Sequence, residues 1–417
     1  MKKPKIRFKG FTETWEQRKL DKIFISLQNN TFSRSDLSNE EGIAYNIHYG
    51  DILIKFNDVL NVSNEKIPMV KDINILEKFK SSHLQNGDIV VADTAEDETV
   101  GKCCEILGIT DEIVISGLHT IPYRPLIKFG DRYLGYYLNS NSYHNQLLPL
   151  MQGIKVTSIS KSVLKDTTIL FPKQITEQEQ IGSLFSKLDH LITLHQRQCE
   201  NLKKLKKFML QKLFPQNGEN VPKVRFLNYT DTWEQRKLET YLQEYNEVTS
   251  TNNQYPALTS SRKGLFLQTD YFSGNQVASE NNIGYNVVPY GYFTYRHMSD
   301  DEVFHFNLND IVDKGIVSTL YPVFTTSKEL DSKYLQYQLN YGEEFSRFAR
   351  LQKQGGSRTY MYLNKLRKLS LTMPNTLDEQ KEISAILSTL DHFITLHQSK
   401  CDKLKEVKKY MLQNMFI

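Results

Sequence analysis

One long segment of this 417-residue chain occurs twice. Residues 177–213 and 379–415 match at a constant offset of 202 positions, which relates Leu188-Asp189-His190 to Leu390-Asp391-His392. A repeat of this length predicts two copies of one structural unit. It therefore limits the possible folds more than any other property of the sequence.

Both copies place apolar residues at the heptad spacing of paired helices. The predicted seam consists of Ile181, Leu184, Leu188, Leu191, Leu202, Leu205 and Met209 in the first copy, and of Ile383, Ile386, Leu390, Phe393, Leu404, Val407 and Met411 in the second. A helix of about 37 residues is about 55 Å long and cannot bury such a stripe by itself. The most economical partner is the other copy, packed antiparallel.

A second repeated element precedes each insert. Residues 4–20 recur as residues 222–238, and both copies contain the letters WEQRKL. We call these two segments the mounts. The second copy stops at Phe416-Ile417, at the point where the first copy continues into the second mount. If the two helices pack antiparallel, residue 417 would lie near residue 1. The sequence thus predicts a pseudo-cyclic repeat.

The inserts between mount and helix show little similarity to each other. Both contain short strand-like runs, among them 51–54 and 88–91 in the first insert, followed by a helical stretch. We therefore predict an α+β fold in which two domains of mixed α/β structure are joined by two long antiparallel helices with pseudo-two-fold repetition. The predicted division is a domain at 1–175, a helix at 176–214, a domain at 215–377 and a helix at 378–417.

Composition and charge are ordinary for a globular protein, with 39% hydrophobic residues, 24% charged residues and a net charge of +4. The four cysteines have no CxxC spacing and no secretory signal precedes them, which favours a cytoplasmic location. The basic run at 197–212 is typical of a solvated helix face. Charge alone does not identify a polyanionic partner.

No sequence pattern typical of a catalytic or metal site is present. Asp93 and Glu98 could be metal carboxylates, but a charged surface loop is the favoured interpretation. His195 and His397 fall on seam positions, where polar side chains more often fix helix register than bind metal. We therefore expect no metal and no cofactor in this chain.

Two polar, glycine-containing loops at equivalent positions, 152–158 and 354–360, are the candidate contacts to nucleic acid. Such contacts need a close backbone approach, hydroxyl or amide donors for phosphate, and Arg, Lys, Asn or Gln for base edges. The candidates are Gly153, Lys155, Thr157, Ser158, Gly356, Ser357, Arg358, Thr359 and Tyr360, with Asn57, Arg296 and His297 added from elsewhere in the inserts. The alternative for each is an ordinary loop side chain.

The repeated mounts, the repeated LDHxITLHQ helices and the dissimilar inserts together resemble the specificity subunit of type I restriction–modification enzymes. The resemblance extends over essentially the whole chain. It implies that the inserts are target recognition domains, that the helices are a spacer between them, and that the double-stranded DNA target is bipartite, with one half-site for each domain.

The resemblance also implies partners. Two methyltransferase subunits would supply S-adenosylmethionine chemistry for adenine methylation, and restriction subunits would supply ATP- and Mg-dependent translocation and cleavage. The residues assigned to partner contact or helix packing are Trp15, Arg18, Trp233, Arg236, Leu188, Leu191, His195, Leu202, Leu390, Phe393, His397 and Leu404. The methyltransferase subunits are expected on the mounts and on the outer faces of the helices.

Two other classes of function stay open at this point. An enzyme acting alone would modify DNA as the purified chain, without a partner. A coiled-coil scaffold without DNA specificity would give no sequence-specific DNA complex, even with a methyltransferase bound.

Overall fold

The protein has an α+β fold with two compact units. A computed structural model describes residues 3–71, 77–153, 155–216, 218–274, 278–353 and 358–417. Unit 1 comprises Met1–Gln196 with Gln398–Ile417, and unit 2 comprises Arg197–His397. Each unit therefore contains one mount, one insert and about half of each long helix, whereas the sequence-based division kept domains and helices separate. The reason is that each half-helix packs on the core of an insert.

Unit 1 contains a five-stranded sheet with the order β2-β10-β6-β8-β4 and a three-stranded sheet with the order β5-β3-β9. Its strands are β1 (Glu16–Lys19), β2 (Phe24–Ser26), β3 (Ala44–Ile47), β4 (Val59–Asn61), β5 (Met69–Val70), β6 (Ile89–Ala92), β7 (Thr94–Ala95), β8 (Cys103–Leu107), β9 (Val114–Ser116), β10 (Thr120–Pro125), β11 (Thr157–Ser158) and β12 (Thr168–Phe171). Its short helices are α1 (Tyr49–Ile54), α2 (Tyr133–Leu138), α3 (Asn141–His144) and α4 (Lys161–Leu164), and the first long helix, α5 (Ile175–Lys212), follows.

Unit 2 contains a four-stranded antiparallel sheet with the order β14-β22-β18-β20. Its strands are β13 (Glu234–Lys237), β14 (Leu242–Glu244), β15 (Leu258–Ser261), β16 (Gly264–Leu267), β17 (Asn286–Pro289), β18 (Phe293–Thr294), β19 (Met298–Ser299), β20 (Asn307–Leu308), β21 (Lys314–Val317), β22 (Val323–Thr326), β23 (Thr359–Tyr360) and β24 (Ser370–Met373). Its helices are α6 (Gln268–Tyr271), α7 (Ser332–Tyr341), α8 (Glu343–Leu351) and α9 (Leu363–Leu366), and the second long helix, α10 (Leu377–Met415), ends the fold.

The predicted strand at 51–54 is wrong, because these residues belong to helix α1. His48 precedes this helix, and its Nδ1 accepts a hydrogen bond of 3.2 Å from the backbone N–H of Gly50. This side-chain cap stabilises the helix start, and Ile52 is fully buried. A run of three apolar residues does not distinguish a strand from a buried helical turn.

The long helices pack antiparallel, as predicted. In unit 1 the rings of Phe185 and Phe416 lie 5.7 Å apart, and Asp189 is 2.7 Å from Lys408. In unit 2 the Cys199 thiol lies 3.9 Å from the carbonyl oxygen of Ile394. Helix starts and ends agree with the repeat to within two residues, because the repeat marks the same segment twice.

One of the two seam positions in each predicted heptad is wrong. Ile181, Leu188, Ile383 and Leu390 are buried as predicted, but Leu191 and Phe393 are 40% and 43% exposed, and Ile192, next to Leu191, is buried instead. The buried seam follows the alternating four–three spacing of an antiparallel pair and includes Ile181, Phe185, Leu188, Ile192 and Cys199 in α5, and Ile383, Leu387, Leu390 and Cys401 in α10. The cysteines are packing residues, as their repeated positions indicated.

Each mount contains one strand, which pairs with the strand that precedes a long helix. β1 pairs antiparallel with β12, and β13 pairs antiparallel with β24. The two chain ends meet as the pseudo-cyclic prediction requires, because the Ile6 N–H donates to the Asn414 carbonyl at 2.9 Å. The equivalent bond in unit 2, from Val224 to Lys212, is 3.0 Å long and lies within the continuous chain.

Candidate nucleic-acid interface

The polar loop of unit 1, residues 152–158 with Ile154 outside the described residues, forms a hairpin. Gln152 and Ser158 exchange backbone hydrogen bonds of 3.0 and 2.8 Å. Gly153 has a φ of +115°, and a Cβ at this position would lie 2.0 Å from the carbonyl oxygen of Val156. This glycine is therefore needed for the turn itself, because a side chain would both clash and strain the backbone.

The hairpin is held against the sheet by a two-stranded ribbon. β11 pairs antiparallel with β7, which places Thr157 opposite Ala95 and Ser158 opposite Thr94. The side chains of Lys155 and Ser158 are exposed, and that of Thr157 is half-buried. The ribbon thus presents an amine and a hydroxyl to solvent from a rigid support.

Beside this ribbon lies a polar cluster that sequence reasoning did not assign to DNA contact. Thr94 Oγ1 donates to Asp93 Oδ1 at 2.7 Å, and His119 Nδ1 lies 3.3 Å from the same carboxylate oxygen. The His119 ring contacts that of Tyr49 at 5.2 Å, and its φ of +54° is unusual for a residue other than glycine. The sequence favoured a charged surface loop over a metal ligand for Asp93, and only the pairing of distant strands places this residue beside the ribbon.

The equivalent ribbon of unit 2 joins β19 to β23, with Met298 opposite Tyr360 and Ser299 opposite Thr359. Thr359 is buried and Tyr360 is 37% exposed. The Arg358 Nε donates to Asp300 Oδ1 at 2.9 Å. The candidates Gly356 and Ser357 lie outside the described residues.

Arg296 and His297, predicted from elsewhere in the insert, lie next to this ribbon. The His297 ring stacks on Tyr362 at 5.0 Å and contacts Tyr360 at 6.0 Å. His297 is buried, and its Nδ1 is hydrogen-bonded to the carbonyl oxygen of Leu320. Its role is therefore to support the ribbon, whereas the neighbouring Arg296 is exposed.

Sequence reasoning missed Arg262, Ser299, Asp301 and His305. Arg262 forms an ion pair with Asp301, whose Oδ1 also accepts a hydrogen bond of 2.8 Å from Ser299 Oγ. The Arg262 ion pair lowers the pKa of Asp301, so the carboxylate stays charged. Arg262 lies in the turn that follows β15, and no local sequence motif identifies it as part of this site.

Asn57 belongs to a different surface. It is exposed, and the following residue, Asp58, accepts a hydrogen bond of 2.9 Å from Lys408 of α10. Asn57 therefore lies on the side of the insert that faces the long helix, and no described contact joins it to the ribbon of Lys155 and Ser158.

The mount tryptophans are core residues. Trp15 and Trp233 are 8% and 2% exposed, and their rings contact Tyr133 and Tyr334 edge-on, each at 6.3 Å. Burial at this level assigns both tryptophans to packing and leaves no ring surface for another protein. The mount arginines remain accessible: Arg18 is bonded to Glu16 at 2.6 Å, and Arg236 reaches Glu234 at 3.2 Å.

The remaining helix residues of the prediction fall into three groups by exposure. Leu188 and Leu390 are buried, and Leu191 and Phe393 are exposed. The half-buried members are His195, Leu202, His397 and Leu404. Packing between the helices therefore involves the first and third groups, whereas Leu191 and Phe393 are on accessible surface.

Each unit contains one clasp, defined as a helix aspartate bound to a lysine of the other helix and to a tyrosine of the insert. In unit 1, Asp189 binds Lys408 at 2.7 Å and the hydroxyl of Tyr136 at 2.7 Å. In unit 2, Asp391 binds Lys206 at 2.5 Å and the hydroxyl of Tyr337 at 2.7 Å. The lysines lie over the tyrosine rings at 5.1 and 5.4 Å.

The clasp lysine Lys206 is an exception to the solvated face predicted for the basic run at 197–212, in which Lys203, Lys204 and Lys207 are exposed as predicted. The side chains of Lys206 and Lys408 are only 13% and 17% exposed. Both occupy seam positions, where a paired charge selects helix register and orientation.

A groove with equivalent helix residues accompanies each clasp. In unit 2 the groove has a volume of about 720 Å³, and its helix side is formed by Lys203, Lys206, Lys207, Leu210 and Gln211. In unit 1 the groove of about 340 Å³ is lined by their repeat equivalents Lys405, Lys408, Lys409, Leu412 and Gln413. The inserts differ, but this helix surface does not.

Among the described residues, no helix combines the length and the hydropathy needed to cross a bilayer.

Comparison with known proteins agrees with the sequence and the fold. The family model for the type I restriction modification DNA specificity domain matches residues 12–204 and 305–406. The chain is 23% identical over 419 residues to a protein described as the type I restriction enzyme MjaX specificity subunit of Methanocaldococcus jannaschii, covering 96% of this chain and 92% of that protein.

One solved structure shows the same fold. The S subunit of a type I restriction-modification system from M. genitalium superposes with a TM-score of 0.60 at 14% identity, over 100% of this chain and 99% of that one. The HsdS subunit from Thermoanaerobacter tengcongensis gives a TM-score of 0.42 at 14% identity, over 97% and 96% of the two chains. Because the family model matches most of the sequence, the chain belongs to the type I restriction-modification specificity subunits, the DNA-recognition components of these systems.

Proposed function

We propose that this chain reads a bipartite double-stranded DNA target, with one half-site contacted by each unit. The observation that carries the proposal is the pair of equivalent ribbons, β7–β11 and β19–β23. They occupy the same place in the repeat but present different side chains, which suits two readers of different base sequences.

The chemistry of the two ribbons supports different half-sites. The unit 1 ribbon is surrounded by Lys155, Ser158, Asp93 and His119, whereas arginine and tyrosine side chains dominate around the unit 2 ribbon. Hydroxyl, amine and guanidinium groups can bind phosphates and base edges in the major groove.

The proposed partners are two methyltransferase subunits, which would bring S-adenosylmethionine and methylate adenine, and restriction subunits, which would use ATP and Mg for translocation and cleavage. We place the methyltransferase subunits against the outer helix faces. Support comes from repeat-equivalent apolar residues that are exposed beside the basic grooves: Leu205 and Val407 are 45% and 47% exposed, and Phe208 and Tyr410 are 49% and 59% exposed. Such exposed apolar positions are typical of protein contacts.

Exchange of the second insert tests the proposal. Residues 239–354 are replaced by the corresponding insert of another specificity subunit, and modified sites are mapped across a genome that expresses the complete complex. One half-site should change, while the other half-site and the gap are retained. Changes in both half-sites would contradict the assignment of one unit to each half-site.

The scaffold function makes a different prediction in the same assay. If the chain holds subunits together without reading DNA, the chimera will modify the same sequences as the parent chain. A purified chain that modifies DNA without partners would instead support the enzyme alternative.

A further inference from the structure

We propose that Arg296 contacts a guanine in the half-site read by unit 2. This assignment rests on the DNA-reading function proposed above and adds the base that one side chain recognises. It follows from the support, charge environment and accessibility of Arg296.

The backbone around Arg296 is fixed on both sides. Tyr295 is fully buried, and its hydroxyl donates to the carbonyl oxygen of Met361 at 2.9 Å. The His297 carbonyl accepts a hydrogen bond of 2.8 Å from the Met361 N–H. Both neighbours of Arg296 are buried and anchored to the same segment, whereas the Arg296 side chain between them is exposed. This support fixes the position of the Arg296 backbone before DNA binds.

Arg296 differs from the other arginines around the ribbon in its charge environment. Arg262 is paired with Asp301, and Arg358 is paired with Asp300 at 2.9 Å. Within the described part of the chain, Arg296 has no ion pair with a carboxylate. The two acidic residues thus neutralise its neighbours and leave the Arg296 guanidinium available for a ligand.

The space next to Arg296 leaves its side chain room to move. A cavity of about 270 Å³ is lined by Arg296 together with Ser260, Arg262, Asp300, His305 and Tyr321. Burial lowers the pKa of His305, so this side chain is neutral at neutral pH and adds no second positive charge. Because no ion pair among the described residues holds it, the guanidinium of Arg296 can turn toward a base without loss of a salt bridge.

The geometry of guanidinium selects the base. Its planar fork donates two parallel hydrogen bonds, which match guanine O6 and N7 in the major groove. Adenine offers an acceptor and a donor at these positions, so the same fork would meet a like donor. A well-formed bidentate contact corresponds to about 5- to 150-fold discrimination against the wrong base.

The test compares Arg296→Ala and Arg296→Lys with the control Arg347→Ala, which removes an exposed arginine from helix α8 of the same unit. Each variant is expressed as the complete complex, and all modified genomic sites are sequenced. Both Arg296 variants should modify sites with a different base at one guanine position of the unit 2 half-site. The other half-site and the gap should be unchanged, and Arg347→Ala should retain the parent target.

Arg296→Lys keeps the positive charge but not the fork, so it separates base reading from a phosphate contact. A phosphate contact would survive in Arg296→Lys, whereas Arg296→Ala would bind all sequences more weakly with a smaller salt dependence. That pattern, or an unchanged target in both variants, would overturn the proposal. An unchanged target in both variants, together with a half-site that moves on insert exchange, would leave the proposed function intact and remove only the role of Arg296.

Discussion

Lys408 lies 2.7 Å from Asp189, and the pair joins the end of one long helix to the middle of the other. The repeat-equivalent pair, Lys206 and Asp391, has a separation of 2.5 Å. A slip of one heptad would place Ser384 or Gln398 opposite Lys206, because the chain offers no second aspartate at that spacing. The clasps thus favour one helix register over its nearest alternatives.

The two clasps should respond differently to loss of the aspartate. Asp391→Asn removes the only carboxylate that the described residues place on Lys206, whereas Asp189→Asn leaves Lys408 bonded to Asp58 at 2.9 Å. We expect Asp391→Asn to lower the free energy of unfolding by about 1–2 kcal/mol, a range that allows for the partial exposure of Asp391. Asp189→Asn should lower it by less. Urea denaturation of the two variants checks the order. Equal losses would contradict a supporting role for Asp58.

A second pair of equivalent contacts anchors the mounts. Arg7 binds Glu177 through two hydrogen bonds of 2.7 and 2.8 Å, and Arg225 binds Glu379 at 2.7 and 2.9 Å. Both glutamates are 2% exposed. Arg7→Met should cost about 3–5 kcal/mol, because it leaves a buried carboxylate without its cation.

Arg225→Met should cost about 1 kcal/mol less than Arg7→Met, because the Trp233 indole N–H still donates to Glu379 at 3.1 Å. The Trp15 indole nitrogen has no hydrogen-bond partner within the described residues. The protein has one tryptophan in each unit. Tryptophan fluorescence therefore reports unit 1 in a Trp233→Phe background and unit 2 in a Trp15→Phe background. A smaller loss in Arg7→Met would contradict this difference.

Glu105 should make stability depend on pH near neutrality. Burial raises the pKa of this carboxyl to about 7, although its oxygens accept hydrogen bonds from the backbone of Arg132 and Gly135 at 2.7 and 2.9 Å. The folded state therefore holds the proton more tightly than the unfolded state. Stability from this group is present below the unfolded pKa and is lost as pH rises through about 7.

The measurement compares wild type with Glu105→Gln in urea at several pH values between 4 and 8. As the pH rises across this range, wild type should lose up to about 3 kcal/mol of stability relative to Glu105→Gln, since one pKa unit corresponds to about 1.4 kcal/mol. A difference that does not vary with pH would show that folding leaves the pKa of Glu105 unchanged.

Shortening both long helices equally should shorten the gap of the DNA target. Removal of residues 196–202 and 398–404 takes one heptad from the segment between the clasps in each helix, so both clasps and the seam phase are retained. The helices become about 10 Å shorter, which corresponds to about 3 base pairs.

Mapping of modified genomic sites should show a shorter gap and unchanged half-sites. The control removes residues 196–202 alone, which misaligns the seam and should reduce assembly of the complex. An unchanged gap in the double deletion would show that the helices do not set the spacing.

The sequence allowed the predictions that depend on repetition. The constant offset located both helices, and the interrupted second copy predicted that residue 417 lies near residue 1, which the hydrogen bond between Ile6 and Asn414 confirms. These inferences hold because a repeat supplies two observations of every boundary. One of the two seam positions in each heptad was predicted incorrectly, since Leu191 and Ile192 are adjacent apolar residues and periodicity cannot choose between them.

Tertiary structure decided what the side chains around the inserts do. Trp15 looked available for a partner in the sequence but is buried against Tyr133, and Lys206 looked solvated but is held by Asp391. The pairing of β19 with β23, which places Met298 opposite Tyr360, joins segments about 60 residues apart. The sequence by itself determined the repeat, the helices and the family, because these depend on local pattern. Only the fold determined the clasps and ribbons, because their partners are distant in the chain and meet by packing.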